Sequence, residues 1–241
     1  MCRCPGHLPL MIVMPANSSG WFWHCLARET GKFGHLFSPG AQRGPWPWFP
    51  YALDNGAFSA WNPKDNTFNE AKWSEYDWKC LVVWAASQEQ KPRWAIVPDR
   101  PGCSQTTIVK WSRYAGVVKE SGIPLAIAVQ NGMTTEIVKA LDPLPDVIAV
   151  GGSTDWKWDT IEMWAKEFPR VHLLRCNAPD KLHYLEGLGV ESCDGTGWSR
   201  GDRTQTKGLE AWARSKPMPR TDSIADFVCR QPKDKEQMFF A

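Results

Sequence analysis

Short apolar runs alternate with longer amphipathic segments along most of the chain. Apolar runs of this length, separated by segments of helical periodicity, predict strand–helix units whose parallel strands are buried on both faces. The predicted strands are Leu10–Met14, Pro50–Leu53, Arg93–Pro98, Pro124–Val129, Asp146–Val150, Val171–Leu174 and Val190–Cys193. The predicted helices are Asn69–Gln88, Ser104–Ser121, Thr134–Leu141, Asp155–Phe168 and Ala178–Leu188.

Closing these units into a barrel requires an eighth strand, and the sequence offers two places for it. One is near His35–Phe37 and the other lies in the tail after Pro217. The periodicity fits a closed barrel and an open doubly wound sheet, and we favour a single α/β domain over residues 1–241, a (β/α)8 TIM-like barrel, regular or irregular. The segment Gly31–Trp48 is rich in Gly and Pro and is predicted as a long loop that could cover the site.

Composition restricts the function only a little. The 241 residues, 43% of them hydrophobic, suffice for one core, and the net charge of +2 neither favours nor excludes a nucleic-acid partner. No apolar stretch reaches the ~18 residues of a transmembrane helix, so we expect no membrane partner. The apolar run Leu8–Met14 is typical of a first strand rather than of a signal peptide, so we expect a cytoplasmic protein with reduced cysteines.

The N-terminal segment contains a candidate metal site. Cys2, Cys4 and His7 are close in sequence, and His24 or Cys25 would supply a fourth ligand. The spacing Cys-x-Cys-x-x-His matches no common zinc pattern closely, and most cysteines and histidines of reduced proteins are structural or incidental. We therefore expect neither a metal nor another cofactor.

Polar residues and glycines follow the predicted strands where each strand ends. They are Asp54, Asp99, Gln130, Gly151, Gly152, Arg175, Asn177 and Asp194. Each one alone is compatible with a helix N-cap. In a parallel barrel, however, all strand carboxyl ends open on one face, and that face carries the active site. We therefore expect three carboxylates, two side-chain amides, a glycine pair and a guanidinium in one cleft.

Five segments of the chain carry a family resemblance. They are LDNGAF (53–58), VPD (97–99), AVQNGM (128–133), VGGST (150–154) and ESCDGTGWSR (191–200). In this order and spacing they resemble the tRNA-guanine transglycosylase superfamily, most closely its short phage-type branch, the deazapurine DNA-modification transglycosylases. The resemblance covers roughly residues 45–200. It implies a barrel that exchanges guanine for a 7-deazaguanine such as 7-cyano-7-deazaguanine.

The chain departs from the tRNA enzymes at its C-terminal end. Those enzymes carry a zinc motif with a Cys-x-Cys-x-x-Cys run and a later histidine. Here only Cys229 follows Cys193, and no histidine follows it, so this module is expected to be absent. Because the zinc region supports RNA docking, its loss favours DNA over tRNA. Asn55, Ala57 and Thr196 also agree better with the phage-type branch.

The resemblance assigns the two catalytic roles to aspartates. Asp194 would be the nucleophile, and Asp54 the general acid/base. The chemistry requires these residue types independently, because displacing a base from C1′ passes through an oxocarbenium-like state that a carboxylate can trap. A second carboxyl must transfer the proton of the departing and arriving bases, and it needs a different pKa environment.

The resemblance also assigns the base-binding residues. Phe58 would stack on the base, and Asp99 would accept hydrogen bonds from the guanine N1–H and amino group. Gln130 and the backbone of Gly151 and Gly152 would read the O6 side. The strand-end residues Arg175 and Asn177 complete the predicted substrate pocket.

Basic residues after the nucleophile are candidates for contacts with nucleic acid. Arg200, Arg203 and Lys207 are placed to hold flanking phosphates, although an ordinary solvated loop explains them equally well. A target base inside a duplex would have to be flipped out or presented single-stranded. The expected partners are DNA, with tRNA as the alternative, and the free 7-deazaguanine base.

Four functions fit these observations, and DNA base exchange fits them best. The others are tRNA base exchange, a DNA or nucleoside N-glycosidase that uses the same aspartates, and a non-catalytic nucleic-acid-binding barrel. Asp54 and Asp194 disfavour the last, because buried carboxylates without a function are costly. If the gene is of phage origin, the protein would act in the host cytoplasm. The sequence leaves the oligomeric state open, a homodimer included.

Overall fold

A computed structural model describes residues 10–16, 20–199 and 203–216. Ten strands occur in this part of the chain. They are β1 (Ile12–Met14), β2 (His35–Phe37), β3 (Tyr51–Leu53), β4 (Trp61–Asn62), β5 (Thr67–Phe68), β6 (Ala95–Ile96), β7 (Leu125–Val129), β8 (Val147–Val150), β9 (Val171–Leu173) and β10 (Ser192–Asp194). Strands β4 and β5 pair with each other as an antiparallel hairpin, and the other eight form one parallel sheet.

The eight-stranded sheet closes on itself. Its order is β1-β10-β9-β8-β7-β6-β3-β2, and two parallel bridges, Val13 to Phe33 and Ala16 to Leu36, join the first strand to the last. The backbone N–H of Val13 donates to the Lys32 carbonyl at 2.9 Å. The predicted (β/α)8 barrel is therefore confirmed, and its eighth strand is β2.

Seven α-helices surround the barrel in the described residues. They are α1 (Trp21–Thr30), α2 (Glu75–Ser87), α3 (Ser104–Glu120), α4 (Thr135–Lys139), α5 (Thr154–Glu167), α6 (Leu182–Gly187) and α7 (Arg203–Arg214). Short 3-10 helices span Ala57–Ala60, Glu70–Lys72, Pro179–Lys181 and Gly197–Ser199. No helix in the described ranges is long and apolar enough to cross a membrane.

The predicted elements agree with the structure with a few exceptions, one of which is the β4–β5 hairpin, which was not predicted. The helix predicted for Asn69–Gln88 begins at Glu75, because the Ser74 hydroxyl accepts a hydrogen bond from the Asp77 N–H and caps it there. Helices α1 and α7 were not predicted. The long loop predicted for Gly31–Trp48 is wrong in its middle, where β2 pairs with β3. Of this segment, Leu36 in the middle of β2 and the two residues directly after the strand line a cleft at the barrel mouth.

Strand alternation divides the buried side chains into two layers. One layer fills the barrel: Ile12, Met14, Leu36, Ala52, Trp94, Ile96, Ala126, Ala128, Val147 and Ala149. The alternate residues, such as Val13, Phe37 and Leu53, pack against the helices. Because successive strand residues point to opposite faces, the inward series continues at the strand ends to Asp54, Gln130 and Asp194. Side-chain alternation thus delivers these three to the barrel mouth.

Some of the candidates named from the sequence lie outside the described residues. These are Cys2, Cys4 and His7 of the possible metal site, Arg200, and the tail after Pro217. Within the described ranges, no group of three or more His, Cys, Asp or Glu side chains is arranged to hold a metal ion.

Candidate active site

A cleft of about 1130 Å³ opens at the carboxyl ends of the barrel strands. Most of the predicted site residues line it: Asp54, Phe58, Asp99, Gln130, Gly151, Gly152, Arg175 and Asp194. The segment between β3 and α2, including Trp61 and Trp73, forms an outer wall. The structure therefore brings together Phe58, which the resemblance assigned to the pocket, and all but Asn177 of the strand-end residues that were expected on one face.

Asp194 is the last residue of β10, and its side chain is buried. Its Oδ1 accepts a hydrogen bond from the Arg175 backbone N–H at 2.7 Å and lies 3.3 Å from His172 Nε2. The other ring nitrogen of His172 lies 2.8 Å from the Ser192 hydroxyl. Among the described residues no donor contacts Oδ2 of Asp194. One carboxylate oxygen is therefore held, and the other is available to react.

Asp54 follows β3 on the opposite side of the same cleft. Ser38 Oγ donates to its Oδ2 at 3.0 Å, and the Asn55 N–H donates to its Oδ1 at 2.9 Å. Burial raises the pKa of Asp54, and the negative charge of Asp194 raises it further against the opposing effect of these hydrogen bonds. The two carboxyl groups are therefore close enough to interact, and they occupy different environments.

Asp99 lies on the floor of the cleft between two side-chain amides. Asn55 Nδ2 donates to its Oδ1 at 2.9 Å, and Gln130 Nε2 donates to its Oδ2 at 2.8 Å. Burial raises the pKa of Asp99 to about 6, and the nearby charge of Asp54 also acts to raise it. Because each carboxylate oxygen has two lone pairs, both can still accept a donor from a bound molecule.

Asn55 is a structural residue of the site that sequence reasoning did not assign. Besides Asp99, its Nδ2 donates to the Val97 carbonyl at 3.0 Å, and its Oδ1 accepts from the Ala57 N–H at 2.8 Å. The side chain is buried, and both of its polar atoms have partners. It thus joins the ends of β3 and β6 and fixes the start of the 3-10 helix that carries Phe58.

Phe58 and Arg175 are in contact across the cleft. The Phe58 side chain is 45% exposed, and the guanidinium carbon of Arg175 lies 4.4 Å from its ring centroid. Arg175 Nη2 also donates to the Gly152 carbonyl at 2.7 Å. Burial lowers the pKa of Arg175. A base that stacks on Phe58 would use the other ring face or displace the guanidinium, since one face is already covered.

The glycine pair after β8 keeps the cleft floor open. A Cβ on Gly151 would lie 3.0 Å from the Val129 carbonyl and 3.4 Å from Gln130 Nε2. Gly152 has a φ of +74°, which side chains rarely adopt. A larger residue at either position would therefore strain the backbone or crowd the amide beside Asp99.

Three predicted residues do not line the cleft. Asn177 Oδ1 instead accepts a hydrogen bond from the Gly197 N–H at 2.9 Å, so that this side chain fixes the loop after β10. Arg203 and Lys207 are exposed on α7. They belong to a helix rather than to a solvated loop, and their place relative to a bound nucleic acid stays a prediction.

Two further residues beneath the cleft were not predicted. His172 is inward-facing on β9 and contacts Asp194, and its signal was a lone polar residue in the apolar strand Val171–Leu173. Lys157 is buried in the first turn of α5 and donates to the Leu174 and Arg175 carbonyls. Its sequence context is that of an ordinary amphipathic helix.

No family model and no curated protein matches the chain. Among solved structures, 3-hexulose-6-phosphate synthase from Salmonella typhimurium is similar at a TM-score of 0.49 and 11% identity, covering 84% of this chain and 97% of that chain. A chain of the tryptophan synthase α2β2 complex from the hyperthermophile Pyrococcus furiosus is similar at 0.49 and 10% identity, covering 85% and 96%. The architecture of this chain rests on its own strand pairing, and its chemistry rests on the cleft.

Proposed function

We propose that this protein is an enzyme, a base-exchange transglycosylase that replaces guanine in DNA with a 7-deazaguanine through a covalent intermediate on Asp194. One observation carries the proposal: two carboxyl groups of contrasting environment share the cleft. Asp194 has one oxygen held and one free, whereas burial and the charge of Asp194 raise the pKa of Asp54. Paired carboxyls whose environments differ are the usual basis of acid and nucleophile roles in glycosyl transfer.

The first half-reaction breaks the bond between C1′ and guanine. Oδ2 of Asp194 attacks C1′ and forms an ester as guanine departs, and protonated Asp54 gives its proton to the departing base. The raised pKa keeps this proton on Asp54 at a higher pH than an ordinary carboxyl would. The products of this step are free guanine and a glycosyl ester on Asp194, with Asp54 ionised.

The second half-reaction reverses the first with a different base. N9 of the incoming 7-deazaguanine attacks C1′, its proton passes to Asp54, and the carboxylate of Asp194 leaves. Two inversions at C1′ give retention of configuration, as in retaining glycosidases. Water in place of the base would complete a hydrolysis instead, which is the N-glycosidase alternative.

Base recognition is assigned to Asp99 in this proposal. Guanine and 7-deazaguanine share the N1–H and 2-amino donors and differ at position 7, so an enzyme that accepts both must read the shared edge. The carboxylate of Asp99 is oriented by Asn55 and Gln130 and keeps acceptor capacity on both oxygens. Phe58 offers a partly exposed ring for stacking.

DNA is favoured over tRNA by the sequence resemblance to the phage-type branch. The exposed cations Arg203 and Lys207 on α7 follow the 3-10 helix after Asp194 and are available for phosphates. Tight contact with phosphates would make binding weaken with added salt.

The test is incorporation of radiolabelled guanine into single-stranded and duplex DNA, with tRNA as a parallel substrate. We expect label in DNA, a covalent protein–DNA adduct on denaturing gels, and neither with Asp194→Ala. Label in tRNA alone would favour the tRNA enzyme, and release of guanine without incorporation would favour the N-glycosidase. If none of these products forms with the wild-type protein, the proposed function is wrong.

A further inference from the structure

Lys157 is a buried cation that the proposed mechanism does not use. It lies in the first turn of α5, against two residues that line the cleft, with 3% of its surface exposed. Its ammonium group donates to the carbonyl oxygens of Leu174 at 2.8 Å and Arg175 at 3.1 Å. Among the residues that the structure describes, no carboxylate is in ion-pair contact with it. A buried charge without such a partner is costly, so its position calls for an explanation.

The peptide that Lys157 holds is the one that holds Asp194. The Leu174 carbonyl and the Arg175 N–H belong to a single peptide group, and this N–H donates to Asp194 Oδ1 at 2.7 Å. The peptide is therefore clamped between an ammonium at its oxygen and a carboxylate at its nitrogen. Hydrogen bonds in such a chain polarise and strengthen each other.

The backbone at this point needs support. Arg175 has a φ of +53°, a left-handed conformation that is unfavourable for a residue other than glycine. The Cys176 N–H donates to the Asp194 carbonyl at 2.7 Å and holds the backbone after Arg175, and Lys157 supplies the anchor on the carbonyl of the peptide before it. The second hydrogen bond of Lys157, to the Arg175 carbonyl, fixes the residue on its other side.

We propose that Lys157 is a positioning residue for the nucleophile: it clamps the Leu174–Arg175 peptide so that the Arg175 N–H holds Asp194 Oδ1 and leaves Oδ2 free to attack. The chemical part of this inference rests on the proposed function, whereas the clamp itself does not. The charged form of Lys157 is the form that polarises the peptide most strongly.

The charges around Lys157 determine when the clamp is charged. Burial lowers the pKa of Lys157 to about 8, and the Arg175 guanidinium lowers it further, whereas Asp194 and Cys176 act to raise it. Because this pKa lies below the ordinary value of 10.5, the folded state disfavours the charged lysine. Raising the pH above about 8 therefore relieves a burial penalty and does not lower stability, yet it weakens the clamp. Activity and stability should respond to alkaline pH in different directions.

Lys32 is a matched control, because it is equally buried and is not among the residues that line the cleft. Its ammonium lies 3.3 Å from Glu186 Oε1 and contacts the Ser215 carbonyl at 3.3 Å, near the C-terminal end of α7. Its exposed fraction is 2%. Removing this charge should lower stability without touching the peptide that holds Asp194.

The experiment compares guanine exchange by wild type, Lys157→Met, Lys157→Arg and Lys32→Met from about pH 6 to about pH 10. We expect Lys157→Met to lower kcat roughly 10- to 100-fold with a half-saturating base concentration within about twofold of wild type. Ionisation of Asp54 lowers the activity of every variant alike. A further loss with a midpoint near pH 8 should appear in wild type and Lys32→Met and be absent from Lys157→Met. Lys157→Arg should recover part of kcat and also lack the loss near pH 8.

A second measurement does not depend on catalysis. The Arg175 amide resonance of wild-type protein should titrate with a midpoint near pH 8, and this titration should vanish in Lys157→Met. If the wild-type protein exchanges no base, the proposed function is wrong, but this titration still tests whether Lys157 clamps the peptide. An Arg175 amide that does not respond near this pH in wild type overturns the clamp, whether or not Lys157→Met folds. An unchanged kcat together with an unchanged loss of activity near pH 8 in a folded Lys157→Met overturns the positioning role.

Discussion

The two ends of the barrel treat buried charge in opposite ways. At the amino ends of the strands, Glu191 is paired with two arginines, Arg93 at 2.9 Å and Arg170 at 2.6 Å. Burial acts to raise the pKa of Glu191, but the hydrogen bonds and charges of the arginines outweigh it, so the pKa lies below its ordinary value. The buried negative charge at this end is therefore neutralised by direct salt bridges to arginine.

At the carboxyl ends, three carboxyl groups share one cleft. The side chains of the nearby cations, Arg175 and Lys157, donate to backbone carbonyls rather than to these carboxylates. The pKa values of Asp54 and Asp99 are raised by burial, with like charge adding to the effect. Uncompensated charge destabilises a fold but gives carboxyl groups the shifted proton affinities that catalysis requires. The contrast indicates that the end with the strand amino termini, the closed end, stabilises the barrel. The end with the strand carboxyl termini, the open end, carries the chemistry.

Removing the proposed nucleophile should give the largest loss of activity and separate activity from stability most clearly. We expect Asp194→Ala to lower base exchange by about 10⁴-fold or more, because no other group replaces the covalent step. Stability should change little, because the loss of the hydrogen bond from the Arg175 N–H is offset by removal of a like charge beside Asp54. Incorporation of labelled guanine and urea unfolding measure the two quantities. Exchange near the wild-type rate would show that Asp194 is not the nucleophile.

Replacing Asp99 should weaken base binding rather than the chemical step. In Asp99→Asn one oxygen acceptor becomes a donor that faces a donor of the base, which should cost about 2–4 kcal/mol, or roughly 30- to 1000-fold in affinity. The measurement is exchange against rising deazaguanine concentration, with Asp77→Asn, in the first turn of α2, as the control. An unchanged half-saturation point would mean that another residue reads the base.

The two ends should also respond oppositely to acid. The pKa of Asp99 is raised to about 6, so lowering the pH from 7 protonates it and removes a burial penalty in the folded state. The pKa of Glu191 is lowered, so its contribution to stability is present above its unfolded pKa and is lost as the pH falls through the folded value. Base binding should therefore weaken below about pH 6 while the fold persists to lower pH. The check is to measure the half-saturating base concentration and the thermal unfolding temperature as the pH is lowered. Unfolding at a higher pH than the loss of base binding would contradict the prediction.

Breaking the closed end should lower stability and leave catalysis intact. Glu191→Gln removes the charge between Arg93 and Arg170, both of which are about one-third exposed, so we expect a loss of about 1–3 kcal/mol in unfolding free energy. The value of kcat should stay within about twofold of wild type. A change of this size is smaller than the loss of one charged hydrogen bond in the cleft would produce. A large drop in kcat with unchanged stability would reverse the roles assigned to the two ends.

The strands and most of the cleft residues could be predicted from the order of amino acids. Alternating apolar runs identify a buried strand locally, and the polar residue that ends each run marks the carboxyl edge of the sheet. Asp54, Gln130 and Asp194 therefore could be placed together before any contact was known. Helices α1 and α7 could not be predicted in this way, because they are buried by partners distant in sequence. Trp212 of α7, for example, packs against the ring of Phe33.

The residues that support the site could be identified only in the folded barrel. The sequence left two places for the eighth strand, of which β2 is one. Its three residues lie in a Gly- and Pro-rich segment and form a strand only when the strands on both sides pair with them. His172, Asn55 and Lys157 have little or no local signal, since each acts through a contact with a different strand end. Lys157 resembles an ordinary helical lysine until α5 packs under β9 and sets its ammonium against the Leu174 carbonyl. Periodicity is local and can be read along the chain, whereas these hydrogen bonds exist only once the barrel has closed.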